Sequence, residues 1–308
     1  MARSPVKNLK WNPGTAGNEA LPYPDDLVGQ VDSYLAELEF GEKEPVMPLT
    51  EAMRYSLLAG GKRIRPILLL ATGRAYGTPP AAIMPAAAAL EMIHTYSLIH
   101  DDLPAFDDDA LRRGQPSCHV KFGENVAILA GDALFAEAYR LICERLEAAP
   151  PVRLSVIEEI SVATGVKGVV GGQLIDIMGS ACDGDTLEML HSLKTGRLIT
   201  ACVRCGGLLA GVTAPELTQL SGFAADLGLL FQIKDDILDV VGETAVLGKQ
   251  AGADLRHKRC TYASLYGLDE SMRLAQEYRN RALEALEGLQ GDTGDLAGIT
   301  NYIYERQR

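Results

Sequence analysis

Apolar and polar positions follow a helical period along almost the whole chain after residue 24. The segments 83–100 and 126–146 are apolar nearly all round, as expected of helices that are buried by other helices. Turn-forming stretches separate segments of helix length: GTPPAA (77–82), AAPPVR (148–153), GSACDGD (179–185) and GVTAPE (211–216). The pattern predicts a proline-rich arm over residues 1–24 and one all-α domain over residues 25–308, with an inner ring of buried helices.

Composition narrows the possible functions. Apolar residues make up 47% of the 308 residues and aromatic residues only 6%, which favours packed helices over a β-sandwich. The formal net charge of −12 argues against binding to nucleic acid or to an anionic membrane, since both attract basic surfaces. The chain start lacks the apolar region of a signal peptide, and no run reaches 18 apolar residues. We therefore expect a cytoplasmic protein that is not inserted in a membrane.

The cysteines are few for a chain of this length. Six of them are spread along 308 residues, which favours reduced thiols over a disulfide framework. Cys202 and Cys205 form a C-x-x-C within an apolar run, and no second pair accompanies them. We expect these two to be ordinary core residues.

Two groups of aspartates lie inside apolar sequence. The first acidic cluster follows SLIH and consists of Asp101, Asp102, Asp107, Asp108 and Asp109. The second acidic cluster lies in FQIKDDILD and consists of Asp235, Asp236 and Asp239. Its spacing places Asp235 and Asp239 on one face of a helix, where they repel each other unless a cation joins them. Carboxylate oxygens suit Mg²⁺, which usually shares its ligand shell with substrate phosphates.

Glycine-flanked basic residues complete this picture. GGKRIRP contains Lys62 and Arg65, and RRG contains Arg112 and Arg113. Further candidate cations are His94, Lys194, Lys249, Lys258 and Arg259. Glycine lets backbone and side chain approach an anion together. Carboxylates that hold Mg²⁺ beside arginines predict a site for a diphosphate.

These residues resemble the trans-isoprenyl diphosphate synthases, a polyprenyl synthetase family, and are most similar to its bacterial farnesyl-forming members. The resemblance extends from about residue 28 to near the end of the chain. The motifs that carry it are GGKRIRP (60–66), DDLPAFD (101–107), LRRG (111–114), HVKFGENVAILAGDAL (119–134), KTG (194–196), FQIKDDILD (231–239) and GKQAGAD (248–254). It implies the all-α isoprenoid synthase fold, a helical bundle around a deep central cavity, and a homodimer.

The resemblance also implies a division of labour among the candidates. Mg²⁺, about three ions per site with Mn²⁺ as a substitute, would be bound between the two acidic clusters: by Asp101, Asp102 and Asp107 on one wall, and by Asp235, Asp236 and Asp239 on the other. The allylic diphosphate would be held with Arg112, Lys194, Thr195, Gln232 and Lys249. Isopentenyl diphosphate would occupy a metal-free pocket of Lys62, Arg65, His94 and Arg113.

The implied reaction is ionisation, condensation and elimination. Metal ions and cations stabilise the departing diphosphate, the isopentenyl double bond attacks the resulting carbocation, and a proton is lost. A dry, apolar cavity protects the cation from water. One departure from the family pattern is Lys258-Arg259-Cys260, where Gly-Lys-Ser/Thr is usual. Arg259 keeps the charge at a phosphate-binding position, although Arg and Lys are not equivalent there.

Product length requires a steric wall, because each added isoprene unit gains roughly 3–4 kcal/mol of apolar burial. Tyr96 lies five residues before Asp101, ~7.5 Å deeper along a helix. By resemblance, an aromatic residue there stops growth at fifteen carbons, whereas the helical wheel alone points to Ser97. We expect farnesyl diphosphate as the product, with a twenty-carbon product as the main alternative. A class I terpene cyclase and a non-catalytic synthase-like subunit are weaker alternatives, since both aspartate motifs and the basic motifs are present.

Overall fold

The computed structural model describes residues 23–41, 44–179, 183–241 and 260–307. Most of the predicted arm therefore lies outside the described residues, and so do the predicted phosphate-binding residues Lys249 and Arg259 and the neighbouring Lys258. Within the described ranges, the only strands are a short antiparallel hairpin, β1 (Leu111–Arg112) and β2 (Gln115–Pro116). The predicted all-α class is confirmed.

Fourteen helices are described. They are α1 (Asp25–Ala36), α2 (Met47–Leu57), α3 (Ile64–Ala75), α4 (Pro80–Asp101), α5 (Cys118–Phe122), α6 (Glu124–Arg145), α7 (Pro150–Thr164), α8 (Val169–Met178), α9 (Gly184–His191), α10 (Arg197–Ala210), α11 (Ala214–Val241), α12 (Tyr262–Tyr266), α13 (Leu268–Leu286) and α14 (Gly294–Glu305). A π-helical turn, Ser192–Gly196, joins α9 to α10.

The helix α4 is the central element of the core. Its proline at the first position needs no hydrogen-bond acceptor for a backbone N–H, and this favours helix initiation there. The four alanines Ala86–Ala89 are fully buried, which allows the neighbouring helices to approach closely. The helix packs against α3 on one side and α6 on another. It ends at Asp101, so the first acidic cluster begins where the buried helix stops.

Within the part of the chain that the structure describes, two segments would be long and apolar enough to cross a membrane. One is α4, and 72% of its most apolar window is buried inside the protein, as in the core helix of a bundle. The other runs from Pro150 to Met178 and spans α7 and α8. Such segments occur in the cores of helical proteins, so they are weak evidence for a membrane span.

The long helix α11 passes very close to the π-helical turn. A Cβ added at Gly228 would lie 2.8 Å from Cα of Gly196, so the two backbones touch without a side chain between them. This contact brings the next turn of α11 beside Thr195, whose Oγ1 donates to Oε1 of Gln232 at 2.9 Å. The turn that carries KTG is thereby fixed against the helix that carries the second acidic cluster.

The cysteines follow the sequence prediction in part. Cys202 and Cys205 are free and fully buried in α10, as expected of core residues. Burial raises the pKa of both thiols. Cys260, however, is disulfide-bonded, which the expectation of reduced thiols did not include.

Candidate active site

The predicted site residues converge on one cavity of about 480 Å³ between α3, α4, the hairpin, the π-helical turn and α11. Thirteen of them line it: Lys62, Arg65, His94, Ser97, Asp101, Asp107, Arg112, Arg113, Lys194, Thr195, Gln232, Asp235 and Asp239. The remaining described candidates, Asp102, Asp236 and Tyr96, lie beside the cavity in contacts of their own, described below. Residues that are distant in sequence therefore form a single chemical site.

The first acidic cluster folds back on the end of α4. The backbone N–H of Asp107 donates to the carbonyl of Asp101 at 2.9 Å, so the two carboxylates face the cavity together. Burial raises the pKa of Asp101 to about 6, and the neighbouring Asp107 adds to this rise, while Lys194 opposes it. Because burial disfavours the charged form of this carboxyl group, a cation bound nearby would stabilise that form.

Asp102 is buried and is bonded to an arginine. Arg112 Nε donates to Asp102 Oδ1 at 2.9 Å, and its Nη2 donates to the same oxygen. Burial raises the pKa of Asp102, and the bond to Arg112 opposes that rise. The hairpin explains the geometry, because Arg113 and Gly114 form its turn with positive φ values, as tight two-residue turns require. Arg112 is thereby aimed at the end of α4.

The second acidic cluster divides between two surfaces of α11. Asp235 and Asp239 line the cavity, as the predicted spacing requires. Asp236 faces a smaller cavity of about 70 Å³. Its Oδ1 accepts from Nε2 of Gln232 at 2.9 Å, and its Oδ2 accepts from the backbone N–H of Tyr262 at 2.8 Å. Both oxygens of Asp236 are therefore already used in holding neighbouring elements.

Lys194 has a partner that the sequence analysis missed. Its Nζ lies 2.6 Å from Oδ2 of Asp176, on α8. The signal was present in the sequence, because Asp176 is the one charged residue in the largely apolar stretch VVGGQLIDIM. Lys194 lies on the π-helical turn, a local distortion often found at functional sites. The pair fixes an ammonium group between the two acidic walls.

The basic wall lies at the start of α3 and on α4. Arg65 Nη1 donates to Nε2 of His94 at 3.3 Å. Burial lowers the pKa of His94 well below its usual value, and the positive charge of Arg65 adds to the effect. The ring is therefore neutral at neutral pH, and with Nε2 as acceptor it has Nδ1–H as a donor. Lys62 Nζ lies 5.5 Å from the ring centre of Tyr302.

Two further residues of this cavity were also missed. Arg306, on the C-terminal side of α14, lines the cavity, and so does Phe231 on α11. The guanidinium of Arg306 stacks on the ring of Phe231 at 4.3 Å, and that of Arg65 lies 5.9 Å from the same ring. Sequence alone gave no reason to connect a residue near the end of the chain with the second acidic cluster.

The two chain-length candidates occupy different surroundings. Ser97 lines the cavity, as the helical wheel indicated. Tyr96 lies between α4 and α6, where its ring packs edge-to-face on Phe135 at 5.1 Å and on His100 at 5.6 Å. Phe135 in turn packs edge-to-face on Tyr139 at 5.2 Å. Tyr96, Phe135 and Tyr139 therefore form an aromatic stack between α4 and α6.

Among the described residues, no three His, Cys, Asp or Glu side chains lie close enough together to hold a metal ion alone. Mg²⁺ does not need such a cage, because one or two carboxylates with water and substrate phosphates complete its shell. Asp101 with Asp107, and Asp235 with Asp239, supply two carboxylate pairs of this kind on facing walls. The donor set fits Mg²⁺ that arrives together with a diphosphate.

A helical bundle whose cavity combines two carboxylate walls with a cluster of cations defines a class of protein that binds diphosphates with a divalent metal. The sequence profile described as polyprenyl synthetase matches residues 46–299, and the chain belongs to that family. It is 46% identical over 269 residues to a farnesyl diphosphate synthase of Escherichia coli K12, a match that covers 85% of this chain and 90% of the relative.

Other relatives are similar over comparable lengths. A geranylgeranyl diphosphate synthase of Cyanophora paradoxa is 42% identical, over 83% of this chain and 87% of its own. Among solved structures, a geranyltransferase from Helicobacter pylori in complex with magnesium and isoprenyl diphosphate superposes with a TM-score of 0.80 and 31% identity. That superposition covers 91% of this chain and 94% of the other.

Proposed function

We propose that this protein condenses isopentenyl diphosphate with dimethylallyl diphosphate and then with geranyl diphosphate, and so makes (2E,6E)-farnesyl diphosphate. The observation that carries the proposal is one cavity lined both by two facing carboxylate pairs and by a separate basic wall. Two diphosphates can bind there by different means, one between the acidic walls with metal and one on the basic wall without it. The relationship to the Escherichia coli enzyme supports the same reaction.

Mg²⁺ would be held by Asp101 and Asp107 on one wall and by Asp235 and Asp239 on the other. When bound, the metal offsets the negative charge of the allylic diphosphate and of the diphosphate as it leaves. We assign Asp102 and Asp236, which the resemblance also implied as metal ligands, to a supporting role instead, since Asp102 accepts from Arg112 and Asp236 accepts from Gln232. The magnesium-bound structure of the Helicobacter pylori relative supports the choice of metal.

Arg112 and Lys194 would grip the allylic diphosphate, with Thr195 and Gln232 donating further hydrogen bonds. The C–O bond breaks, both electrons remain on the diphosphate, and these cations stabilise the charge that develops on it. Asp102 and Asp176 fix Arg112 and Lys194 before substrate arrives, so little reorganisation is needed at the moment of reaction. Lys249 and Arg259, which we also assign to phosphate binding, lie outside the described residues.

Isopentenyl diphosphate would bind to Lys62, Arg65, His94 and Arg113. Its double bond forms the new C–C bond to the allylic carbocation, and the proton lost from the neighbouring carbon passes to an oxygen of the departing diphosphate. The neutral His94 donates a hydrogen bond there without adding a full charge. Leu98 and Phe231 give the cavity apolar walls that limit the access of water to the cation.

We assign the fifteen-carbon limit to Tyr96, backed by the aromatic stack with Phe135 and Tyr139. An edge-to-face stack that spans two helices is stiff, which a wall against a growing apolar chain requires. The second candidate product is geranylgeranyl diphosphate, and the 42% identity to the Cyanophora paradoxa synthase favours it as the alternative. The chemistry is the same for both products, and only the position of the wall differs.

We further propose that the enzyme is a cytoplasmic homodimer. The outer face of α6 carries exposed apolar residues, Ile128 at 44% and Leu129 at 55% exposure, and Val120 of α5 at 52%. A second copy of the chain covering this face would remove them from water. Sedimentation at micromolar concentration tests the assembly, and an Ile128→Asp/Leu129→Asp variant should shift it towards monomer.

The direct test of the reaction is a product analysis. The purified protein is incubated with isopentenyl and dimethylallyl diphosphates and Mg²⁺, and the dephosphorylated products are separated and weighed by mass spectrometry. We expect a dominant fifteen-carbon alcohol that disappears with EDTA. A dominant twenty-carbon alcohol would support the alternative product. No elongation, with or without EDTA, would contradict the proposal as a whole.

A further inference from the structure

Arg63 is a buried arginine that joins three helices beside the basic wall. Its side chain is 1% exposed. Its Nε donates to Oδ1 of Asp32 on α1 at 2.8 Å, its Nη1 donates to Oε1 of Glu91 on α4 at 2.6 Å, and its Nη2 donates to the carbonyl of Leu57, the last residue of α2, at 3.0 Å. Arg63 also lines the cavity, but all three guanidinium nitrogens are used in bonds to the protein itself, so it acts on substrate through the residues it holds.

The segment that Arg63 anchors carries two of the proposed phosphate-binding residues. Lys62 precedes it directly, and Arg65 follows two positions later in the first turn of α3. Gly60 and Gly61 have positive φ values of 84° and 122°, and Arg63, two positions after Gly61, has a left-handed backbone with φ of 52°. The two glycines give this segment few conformational restraints of its own. A side chain tied to three helices supplies the missing restraint.

The loop also makes room for Arg113. The guanidinium of Arg113 donates to the carbonyl of Gly60. A Cβ added at Gly61 would lie only 2.6 Å from Cζ of Arg113, so the absence of a side chain there permits the contact. The conformation of residues 60–63 therefore determines where Arg113 lies as well as where Lys62 and Arg65 lie.

Glu91 provides the negative charge at the centre of this basic group. Its side chain is 1% exposed, and it lines the cavity. Burial lowers the pKa of Arg113 and of Arg65, and the charge of Glu91 opposes the fall in both cases. No group among the described residues donates to Oε2 of Glu91. The carboxylate therefore balances the charge of several arginines that would otherwise repel one another.

We propose that Arg63 and Glu91 are a positioning pair that holds Lys62, Arg65 and Arg113 in the arrangement that receives the metal-free diphosphate. The inference rests on the proposed function, because it concerns the pocket for isopentenyl diphosphate. A diphosphate that binds without metal depends on cations that are already in place, since ordering them on binding would weaken the affinity. Lysine cannot replace Arg63, because one ammonium does not reach three acceptors in a planar fork.

The test is direct binding without catalysis. Isopentenyl diphosphate is titrated calorimetrically into the full-length protein in EDTA, where no reaction occurs and the metal-dependent allylic site is not filled. For Arg63→Lys we expect the dissociation constant for isopentenyl diphosphate to rise at least tenfold. In steady-state assays with Mg²⁺, the KM for isopentenyl diphosphate should rise by a similar factor, whereas the KM for geranyl diphosphate should change by less than twofold.

Arg74→Lys is the matched control. Arg74 lies on the same helix, α3, and also joins two carboxylates, Asp26 and Asp295, but it is 33% exposed and lies away from the cavity. The control should keep both KM values within twofold. An equal rise of the isopentenyl diphosphate KM in both variants would overturn the proposal, because any loosening of α3 would then suffice.

Asp32→Ala provides a second variant in case Arg63→Lys fails to fold. The side chain of Asp32 is 47% exposed, so its loss leaves the core intact. We expect its dissociation constant for isopentenyl diphosphate to rise two- to threefold. Wild-type affinity in every folded variant would overturn the positioning role while leaving the proposed function intact. Failure of the wild-type protein to bind isopentenyl diphosphate would overturn both.

Discussion

Nη2 of Arg306 lies 2.7 Å from Oδ1 of Asp235, so a cation from the C-terminal side of α14 contacts a carboxylate that we assign to Mg²⁺. The same guanidinium donates to the carbonyl of Phe231 at 3.1 Å and stacks on its ring. The contact neutralises part of the charge of the acidic wall. It also means that a metal ion at Asp235 has to compete with a buried arginine.

This competition predicts a change in metal affinity. For Arg306→Gln, we expect the Mg²⁺ concentration at half-maximal thermal protection by inorganic pyrophosphate to fall two- to fivefold, because the carboxylate is then open to the metal. Arg279→Gln is the control, since Arg279 joins α13 to Asn301 of α14 and contacts the ring of Tyr304 outside the cavity. An unchanged midpoint for Arg306→Gln would contradict direct competition.

Removing one carboxylate from the first acidic wall should abolish most activity. For Asp101→Asn we expect kcat to fall by roughly 10²–10³, since a preorganised charge interaction at a reacting centre contributes about this much. Asp108→Asn is a matched control in the same cluster, because Asp108 is exposed and its positive φ of 50° suits asparagine. Mg²⁺-dependent protection by pyrophosphate should disappear only in the first variant. Equal activity in both variants would contradict the assignment of Asp101.

The aromatic stack makes a prediction about product length. Tyr96→Ala should shift the products from fifteen to twenty carbons or more, because it removes the ring that faces Phe135 and opens space between α4 and α6. Ser97→Ala changes the cavity lining but removes only one oxygen, so its products should stay at fifteen carbons. Product masses after dephosphorylation provide the measurement. An unchanged fifteen-carbon product from Tyr96→Ala would contradict the assignment of the fifteen-carbon limit to Tyr96.

Stability should depend on pH through His191. Burial lowers the pKa of His191 to about 4 in the folded state, against an unfolded value of 6.5. Between pH 6.5 and pH 4, the unfolded chain binds a proton at His191 and the folded chain does not. The contribution of the neutral ring to stability is therefore fully present above pH 6.5 and is lost as the pH falls towards 4. Relative to His191→Gln, the wild type should lose about 2 kcal/mol of unfolding free energy between pH 7.5 and pH 5. Urea unfolding of both proteins at both pH values measures this difference. The same pH dependence of the unfolding free energy in wild type and His191→Gln would contradict the prediction.

Much of the site could be predicted because its chemistry is local in sequence. The aspartates of both clusters could be recognised because each cluster lies inside apolar sequence, where an unpaired charge costs free energy. The spacing of Asp235 and Asp239 gave their common face correctly, since a helix repeats every 3.6 residues. The all-α class followed from the same periodicity, which is confirmed in the structure.

The residues that were missed act through contacts between distant segments. Asp176 and Lys194 are 18 positions apart, and Arg306 and Asp235 are 71 apart. Arg63 looked like one more basic residue in GGKRIRP, and only its burial against Asp32 and Glu91 distinguishes it from its neighbours. Such roles depend on which helices meet, and this is decided by packing.

The sequence by itself determined the helical class, the two acidic clusters and the basic motifs, because hydrophobic period and charge placement are local properties of the chain. The tertiary structure decided which of those charges face the cavity and which are bound to each other. Asp102 and Asp236 carry the same charge as Asp101 and Asp235, their direct neighbours in sequence. Packing directs Asp101 and Asp235 to the cavity, where Asp235 also meets Arg306, and turns Asp102 and Asp236 away from it, because successive residues on a helix point about 100° apart.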